Sequence, residues 1–392
     1  MNDWKTTCLK EVSELITKGT TPTSVGGQFT VSGINFIKSE SLNYEGILDD
    51  TVFAFIDEDS NKKLKRSIIK ENDILFSIAG IYLGKIGIVK KRHLPANTNQ
   101  ACAIIRLKHE IVDYRFIKQY FTEKSFINYV NSLTGQAAQP NINLTDIGNL
   151  KLLLPPLPTQ QRIASILSAY DDLIEVNNQR IKLLEETARE LYKEWFVRMR
   201  FPGYKKAKFV KGVPEGWEVK KLGEVIELAY GKALKEEERK DGEFLVYGSS
   251  GIVGTHTSCI AKAPGIVVGR KGNVGSVFWV TKDFYPIDTA FFVKTKISLY
   301  YCYFNLKLQN FIEGDAAVPG LNRNQAYSLF ILIPTNNLLQ KFDNVIGPIF
   351  EMVSNLENQN TQLRQIRDRL LPRLISGKLE VKELLTQSKE KV

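Results

Sequence analysis

The sequence predicts an α+β chain built twice. Two strand-rich units are each followed by one long helix, and the two helices pair as an antiparallel coiled coil, giving a pseudo-two-fold internal repeat. Three observations lead there. A tryptophan-led segment recurs far along the chain, short β-branched runs punctuated by glycine fill the first part of each copy, and a heptad-spaced apolar stretch closes each copy.

The repeat is direct. Trp4, Leu9, Glu11, Val12, Glu14 and Leu15 return as Trp217, Leu222, Glu224, Val225, Glu227 and Leu228 at an offset of 213. Ile74-Leu75-Phe76 matches Ile266-Val267-Val268, and Gly84–Val89 matches Gly272–Val277. Gly135–Asn143 matches Gly314–Asn322 at an offset of 179, so the first copy carries the longer loops. Strands are predicted at Ile74–Ile78, Ile86–Val89 and Cys102–Leu107, then at Ile266–Val268, Val274–Val280 and Thr289–Val293. A short helix is predicted over Tyr114–Asn131 and another over Leu299–Ile312. Each unit closes on an apolar strand that proline ends, at Leu152–Leu154 and Ile331–Ile333, and the proline frames a helix start.

Beyond Pro158, Ile163, Leu167, Tyr170, Ile174, Asn177, Ile181, Leu184, Ala188, Leu191 and Trp195 alternate at spacings of four and three. The second copy continues the pattern with Phe342, Ile346, Ile349, Val353, Leu356, Asn360, Leu363, Arg367, Leu370 and Leu374. Each seam holds one central asparagine, which costs stability unless it finds a partner and often fixes register. Two packings fit: each helix against its own unit, or the helices against each other. The likeness of the two faces and the narrow stripe favour pairing, with the units held at opposite ends.

The chain has 392 residues, 43% hydrophobic and 24% charged, enough for several cores and too apolar for wholesale disorder. Its four cysteines and three histidines are scattered, so no disulfide framework, metal site or cofactor is expected. Met1–Lys5 leads into mixed polar sequence and not a secretory leader, and no apolar run approaches the ~20 residues of a membrane span, so a cytoplasmic protein with no membrane partner is expected. A net charge of +10 points to a polyanion, most simply nucleic acid.

Together these residues resemble a known family. The long helix opening with Pro156–Ala164 (Pro-Leu-Pro-Thr-Gln-Gln-Arg-Ile-Ala), Trp195-Phe196, Phe201-Pro202-Gly203, Gly212–Glu218 and the terminal Leu370–Leu379 are similar, in this order, to the specificity subunit of type I restriction-modification enzymes. The resemblance covers essentially the whole chain. It implies target-recognition domains at 1–158 and, with a connector, at 201–337, spacer helices at 159–200 and 338–380, and a C-terminal tail at 381–392. It further implies a bipartite double-stranded DNA site, two modification (methyltransferase) subunits docked on the helices, and a restriction (translocase and nuclease) subunit joined through the complex.

Amide and basic side chains in loops are the candidates for reading bases, since these groups make bidentate contacts. In the first unit they are Lys38, Lys85, Lys90, Lys91, Arg92, Gln136, Gln139 and Asn141. In the second they are Ser249, Ser250, His256, Arg270, Lys271, Asn273, Asn322, Arg323 and Asn324. Each has a structural alternative as an ordinary surface side chain, and Asn143 and Asn322 as turn caps. Gly84, Gly87, Gly272 and Gly275 either bring backbone close to DNA or make plain hairpin turns. Arg180, Lys182, Glu185, Arg189, Lys193, Arg364 and Arg369 are the candidates for partner contact on the outer helix faces.

Catalysis by this chain is not expected. Neither an Asn-Pro-Pro-Tyr/Phe methyltransferase segment nor a GxxxxGK[ST] loop is present, leaving recognition and assembly. The alternative is a metal-dependent nuclease, for which Glu218-Val219-Lys220 and Glu380-Val381-Lys382 have the Glu-x-Lys form without an evident Asp partner.

Overall fold

The computed structural model describes residues 3–133, 141–311 and 320–381. Contacts divide the chain into two compact units, Met1–Glu175 with Thr361–Val392, and Val176–Asn360. Each long helix, Leu157–Tyr192 and Asn336–Ile375, crosses that division.

In the first unit Lys5–Cys8 pairs antiparallel with Lys151–Leu154. A four-stranded sheet follows in the order Ser13–Lys18, Cys102–Leu107, Ile74–Ser77, Ile86–Ile88, all neighbours antiparallel. A second sheet runs Phe29–Thr30, Ala54–Ile56, Ile34–Ile37, Ala96–Thr98. The continuous apolar run at 74–76 is explained by burial on both faces. Ile74 and Phe76 enter one core with Ile105 and Phe116, while Leu75 enters another with Ile104 and Cys102.

The helix predicted over Tyr114–Asn131 is two helices, Tyr114–Thr122 and Lys124–Ser132. Glu123 between them is extended, and its carboxylate accepts from the Ser125 N–H at 2.7 Å and the Phe126 N–H at 3.2 Å. A helix-forming residue has thus become an N-cap. The break lets Phe121 and Phe126 stack at 4.8 Å.

The second unit repeats the plan. Glu218–Lys221 pairs antiparallel with Phe330–Ile333, and the four-stranded sheet runs Ile226–Tyr230, Ala290–Thr295, Gly265–Gly269, Val277–Val280. Strand order and directions match the first unit. Its second sheet has three strands, Gly251–His256, Phe244–Gly248 and Phe284–Pro286, and one helix, Leu299–Leu308, stands where the first unit has two. The extra residues of the first copy, expected in loops, therefore also build a strand and a helix.

Both units use both long helices as core. Ile163, Leu167, Leu371 and Leu374 join the first unit's main core, and Tyr192, Trp195, Phe342 and Ile346 join the second's. Within the second unit Asn177 and Asn178 meet Asn360, while Trp195 and Phe196 meet Phe342 at 5.7 and 4.9 Å, so the helices run antiparallel. Ile163, Leu167, Ile174, Asn177, Phe342, Ile346, Leu356 and Asn360 are buried. Tyr170, Ile181, Leu184, Leu191, Ile349, Val353, Leu363 and Leu370 are half-buried, and no seam position is exposed.

The two seam asparagines bond to each other. Asn177 Nδ2 donates to Asn360 Oδ1 at 2.9 Å, and Asn360 Nδ2 donates to Asn178 Oδ1 at 2.9 Å. An apolar partner in either slot would strand a buried amide, so this register is selected over its neighbours. In the first unit the polar seam residue is Arg367, whose Nη1 lies 2.8 Å from Asp171 Oδ1. Asp171 also accepts from Lys118 Nζ at 2.5 Å and Gln119 Nε2 at 2.7 Å. Burial pushes the Asp171 carboxyl up, but Lys118 and Arg367 outweigh burial and hold it below its ordinary value.

Two outcomes follow. Asn177→Ala should lower unfolding free energy by about 1–3 kcal/mol, the cost of an unsatisfied buried amide, and Asn177→Leu with Asn360→Leu should recover much of it in denaturant melts. Asp171→Asn should cost about 1–3 kcal/mol at neutral pH, because Lys118 loses its carboxylate partner while Arg367 keeps Asp368. Because the folded carboxyl titrates below the unfolded one, its contribution is present above the unfolded value, ~3.9, and is lost as pH falls through the lower folded value. Denaturation across pH should therefore show wild type and variant converging in acid.

Candidate nucleic-acid interface

Near the corresponding turn of each unit a cation lies over an aromatic ring, though at non-equivalent positions. In the first unit the chain leaves strand Ile74–Ser77, turns through Gly80–Tyr82, and returns as Lys85 and Ile86–Ile88. Gly84 has φ +77°, and its N–H donates to Ser77 O at 3.0 Å, closing a turn that an L side chain would strain. Lys85 Nζ sits 4.6 Å from the Tyr82 ring centre and 5.5 Å from that of Tyr44. Ala79 bridges to Asn141 by backbone, and Ile81 stands 84% exposed.

The second unit builds the equivalent corner from strand Gly265–Gly269, Arg270 and a turn at Gly272, φ +82°. Lys271 bridges to Gly320, and the Leu321 N–H donates to Arg270 O at 2.7 Å. The Arg270 guanidinium lies 4.9 Å from the Tyr230 ring centre, and that of Arg323 lies 4.8 Å from the same ring. Arg270 Nη1 donates to Asp288 O at 2.9 Å. Tyr230, 48% exposed at a strand end, was missed by sequence reasoning that favoured amides and cations. Its signal was an aromatic immediately before Gly231-Lys232.

The remaining candidates divide by partner. Lys90 Nζ and Arg92 Nη1 both bind Glu175 of the first long helix, at 2.6 and 3.2 Å. Burial raises the Glu175 carboxyl, and these cations reverse that and lower it. Lys91 between them is exposed. Lys38 lies 3.6 Å from Glu40 and 5.3 Å from the Phe29 ring centre. Gln136 and Gln139 lie outside the described residues. Ser249 is buried, its carbonyl taken by the Ser276 hydroxyl, whereas Ser250, Asn273 and Asn324 are exposed. His256 packs edge-on to Tyr285 at 5.5 Å, and its Nδ1 accepts from the Lys240 N–H at 3.4 Å. Asn322 caps helix Arg323–Ser328, accepting from the Asn324 and Gln325 N–H groups, and Asn143 caps Leu144–Gly148. Gly87 lies in a strand and not a turn; a Cβ there would meet Leu48 Cδ2 at 2.2 Å.

For the nuclease alternative, Glu218 is engaged by Lys220 at 2.6 Å on an exposed strand, and Lys382 lies outside the described residues. Among the described residues no group of three or more His, Cys, Asp or Glu could hold a metal, and no helix is long and apolar enough to cross a membrane. Cys8, Cys102, Cys259 and Cys302 are free thiols.

The sequence matches the family described as the type I restriction modification DNA specificity domain twice, over residues 1–186 and 214–367. The chain belongs to this family. It is 26% identical over 423 residues to the type I restriction enzyme MjaIX specificity subunit of Methanocaldococcus jannaschii, covering 97% of this chain and 95% of that one. It is 29% identical over 251 residues to the MjaVIII specificity subunit of the same organism, covering 63% of this chain and 51% of the relative. Among solved structures, the S subunit of a type I restriction-modification system from M. genitalium superposes with a TM-score of 0.59 at 17% identity, covering 95% of this chain and 96% of that one. The family is one of DNA-recognition subunits and not of catalysts, and this type I specificity chain carries the recognition domain in both copies.

A contrast between cations tests the corner. Lys85→Gln or Lys271→Gln should weaken binding across all DNA sequences and reduce the salt slope of log K by about one each. Lys90→Gln and Arg92→Gln, whose charges already serve Glu175, should lower melting temperature more than DNA affinity. Titrations at several salt concentrations beside thermal melts separate the two classes.

Proposed function

We propose that the chain reads a two-part address on double-stranded DNA, with residues 1–158 and 201–337 as separate recognition domains. The helices at 159–200 and 338–380 set the distance between the parts and dock two modification (methyltransferase) subunits. A restriction (translocase and nuclease) subunit joins through that complex, in the cytoplasm. The chain contributes recognition and its partners contribute chemistry.

The observation that carries this reading is the duplicated fold: one strand order, built twice, each with an exposed turn near a cation laid over tyrosine, Lys85 in the first unit and Arg270 with Arg323 at non-equivalent positions in the second. Two readers on one chain also multiply weak affinities without new contacts, because the second engagement is intramolecular. The relatives' designation as type I specificity subunits supports the partner assignment.

The test uses the chain assembled with its modification subunits, and maps methylated sites by sequencing. Exchanging 201–337 for a relative's segment should change one half-site and leave the other. Removing seven residues from each helix at paired positions shortens the rods by about 10 Å at ~1.5 Å per residue, which is about three base pairs at ~3.4 Å each. The spacer should contract by that much, or assembly should fail. An unchanged spacer with full activity, or methylation and cleavage by the lone chain, would overturn the reading.

A further inference from the structure

We infer that the second unit recognises guanine in its half-site, through the guanidinium forks of Arg270 and Arg323 held over Tyr230. This rests on the DNA-reading role proposed above and names the base that role would select.

The geometry separates these arginines from most cations of the chain. Arg92, Arg106, Arg198 and Arg367 are drawn to carboxylates. Arg270 and Arg323 instead lie over one aromatic ring, and Arg270 has only a carbonyl as its side-chain hydrogen-bond acceptor among the described residues. Their surroundings are pinned. The Arg270 N–H donates to Thr289 O at 2.9 Å, and its carbonyl accepts from Leu321. Tyr230 packs on Phe291 at 5.0 Å, and Tyr327, 5.8 Å from Arg323, is fixed by the Leu228 N–H at 2.9 Å. Gly231, next to Tyr230, meets Ile287 so closely that a Cβ would lie 2.1 Å from its carbonyl oxygen.

Ordering a long arginine costs conformational entropy on binding, and a ring that already holds the guanidinium removes most of that cost. A planar fork so held matches the O6 and N7 acceptors on guanine's major-groove edge, the commonest specific arginine contact, whereas a phosphate needs only a point charge. Exposed Lys271 supplies such a charge next door. Among the described residues the first unit's corner holds Lys85 and no arginine over its tyrosines, so guanine dependence of this kind is assigned to the second unit.

The experiment uses the full chain with its modification subunits on the mapped site. Each guanine of the second half-site is replaced in turn by 7-deazaguanine, which keeps Watson–Crick pairing and removes N7. At one or more positions affinity should fall roughly tenfold or more, the size of one bidentate base contact. R270K and R323K, which keep charge and lose the fork, should lose discrimination of guanine from adenine there. Y230F should retain it. Reading of the first half-site serves as the folding control for every variant. A second half-site without guanine, indifference to 7-deazaguanine, or full discrimination by both lysine variants would each overturn the inference. If domain exchange moves the half-site while these outcomes hold, only the guanine assignment falls; if the complex selects no two-part site, the wider reading falls with it.

Discussion

Everything in this chain depends on two helices that each serve two hydrophobic cores. Neither core closes without them: Leu167 and Leu374 sit among the sheet and helix residues of the first unit, and Tyr192 and Phe342 among those of the second. A seam residue therefore answers to two neighbours, the opposite helix and a globular unit. That double demand explains why no seam position is exposed, and why the polar ones are matched to partners.

The two copies meet that demand with different chemistry. The first unit grips the helices through charge, with Asp171 between Lys118 and Arg367, and Glu175 between Lys90 and Arg92. The second uses rings: Tyr192, Phe196, Tyr301, Phe304 and Phe342 pack at centre distances of 4.9 to 6.3 Å. Buried ion pairs are directional but repay little beyond their desolvation, whereas aromatic packing gains from area with looser geometry. One duplicated backbone plan thus tolerates unlike anchors, provided each set is complete.

The helices and the repeat were legible in the sequence because periodicity and self-similarity act over long windows. The heptad spacing that includes Asn177 and Asn360 marked residues that do lie inside. What escaped was local or distant. Glu123 reads as a helix former until its carboxylate is seen capping Ser125 and Phe126. Lys90 and Arg92 read as free loop cations, because Glu175 is far away in sequence. Tyr230 carried no charge to attract notice, though two arginines converge on it from separate segments. Side-chain meetings across 40 to 93 residues leave no trace in spacing.

The division between the units falls inside both helices, and this makes one unit a continuous segment and the other a split one. During synthesis the middle segment, 176–360, emerges whole and can bury its apolar surface at once. The earlier unit must wait for Leu371, Leu374 and Ile375 before its own interior is sealed. Order of emergence and order of completion are therefore opposed: residues of the first core are still being made after those of the second core have all emerged.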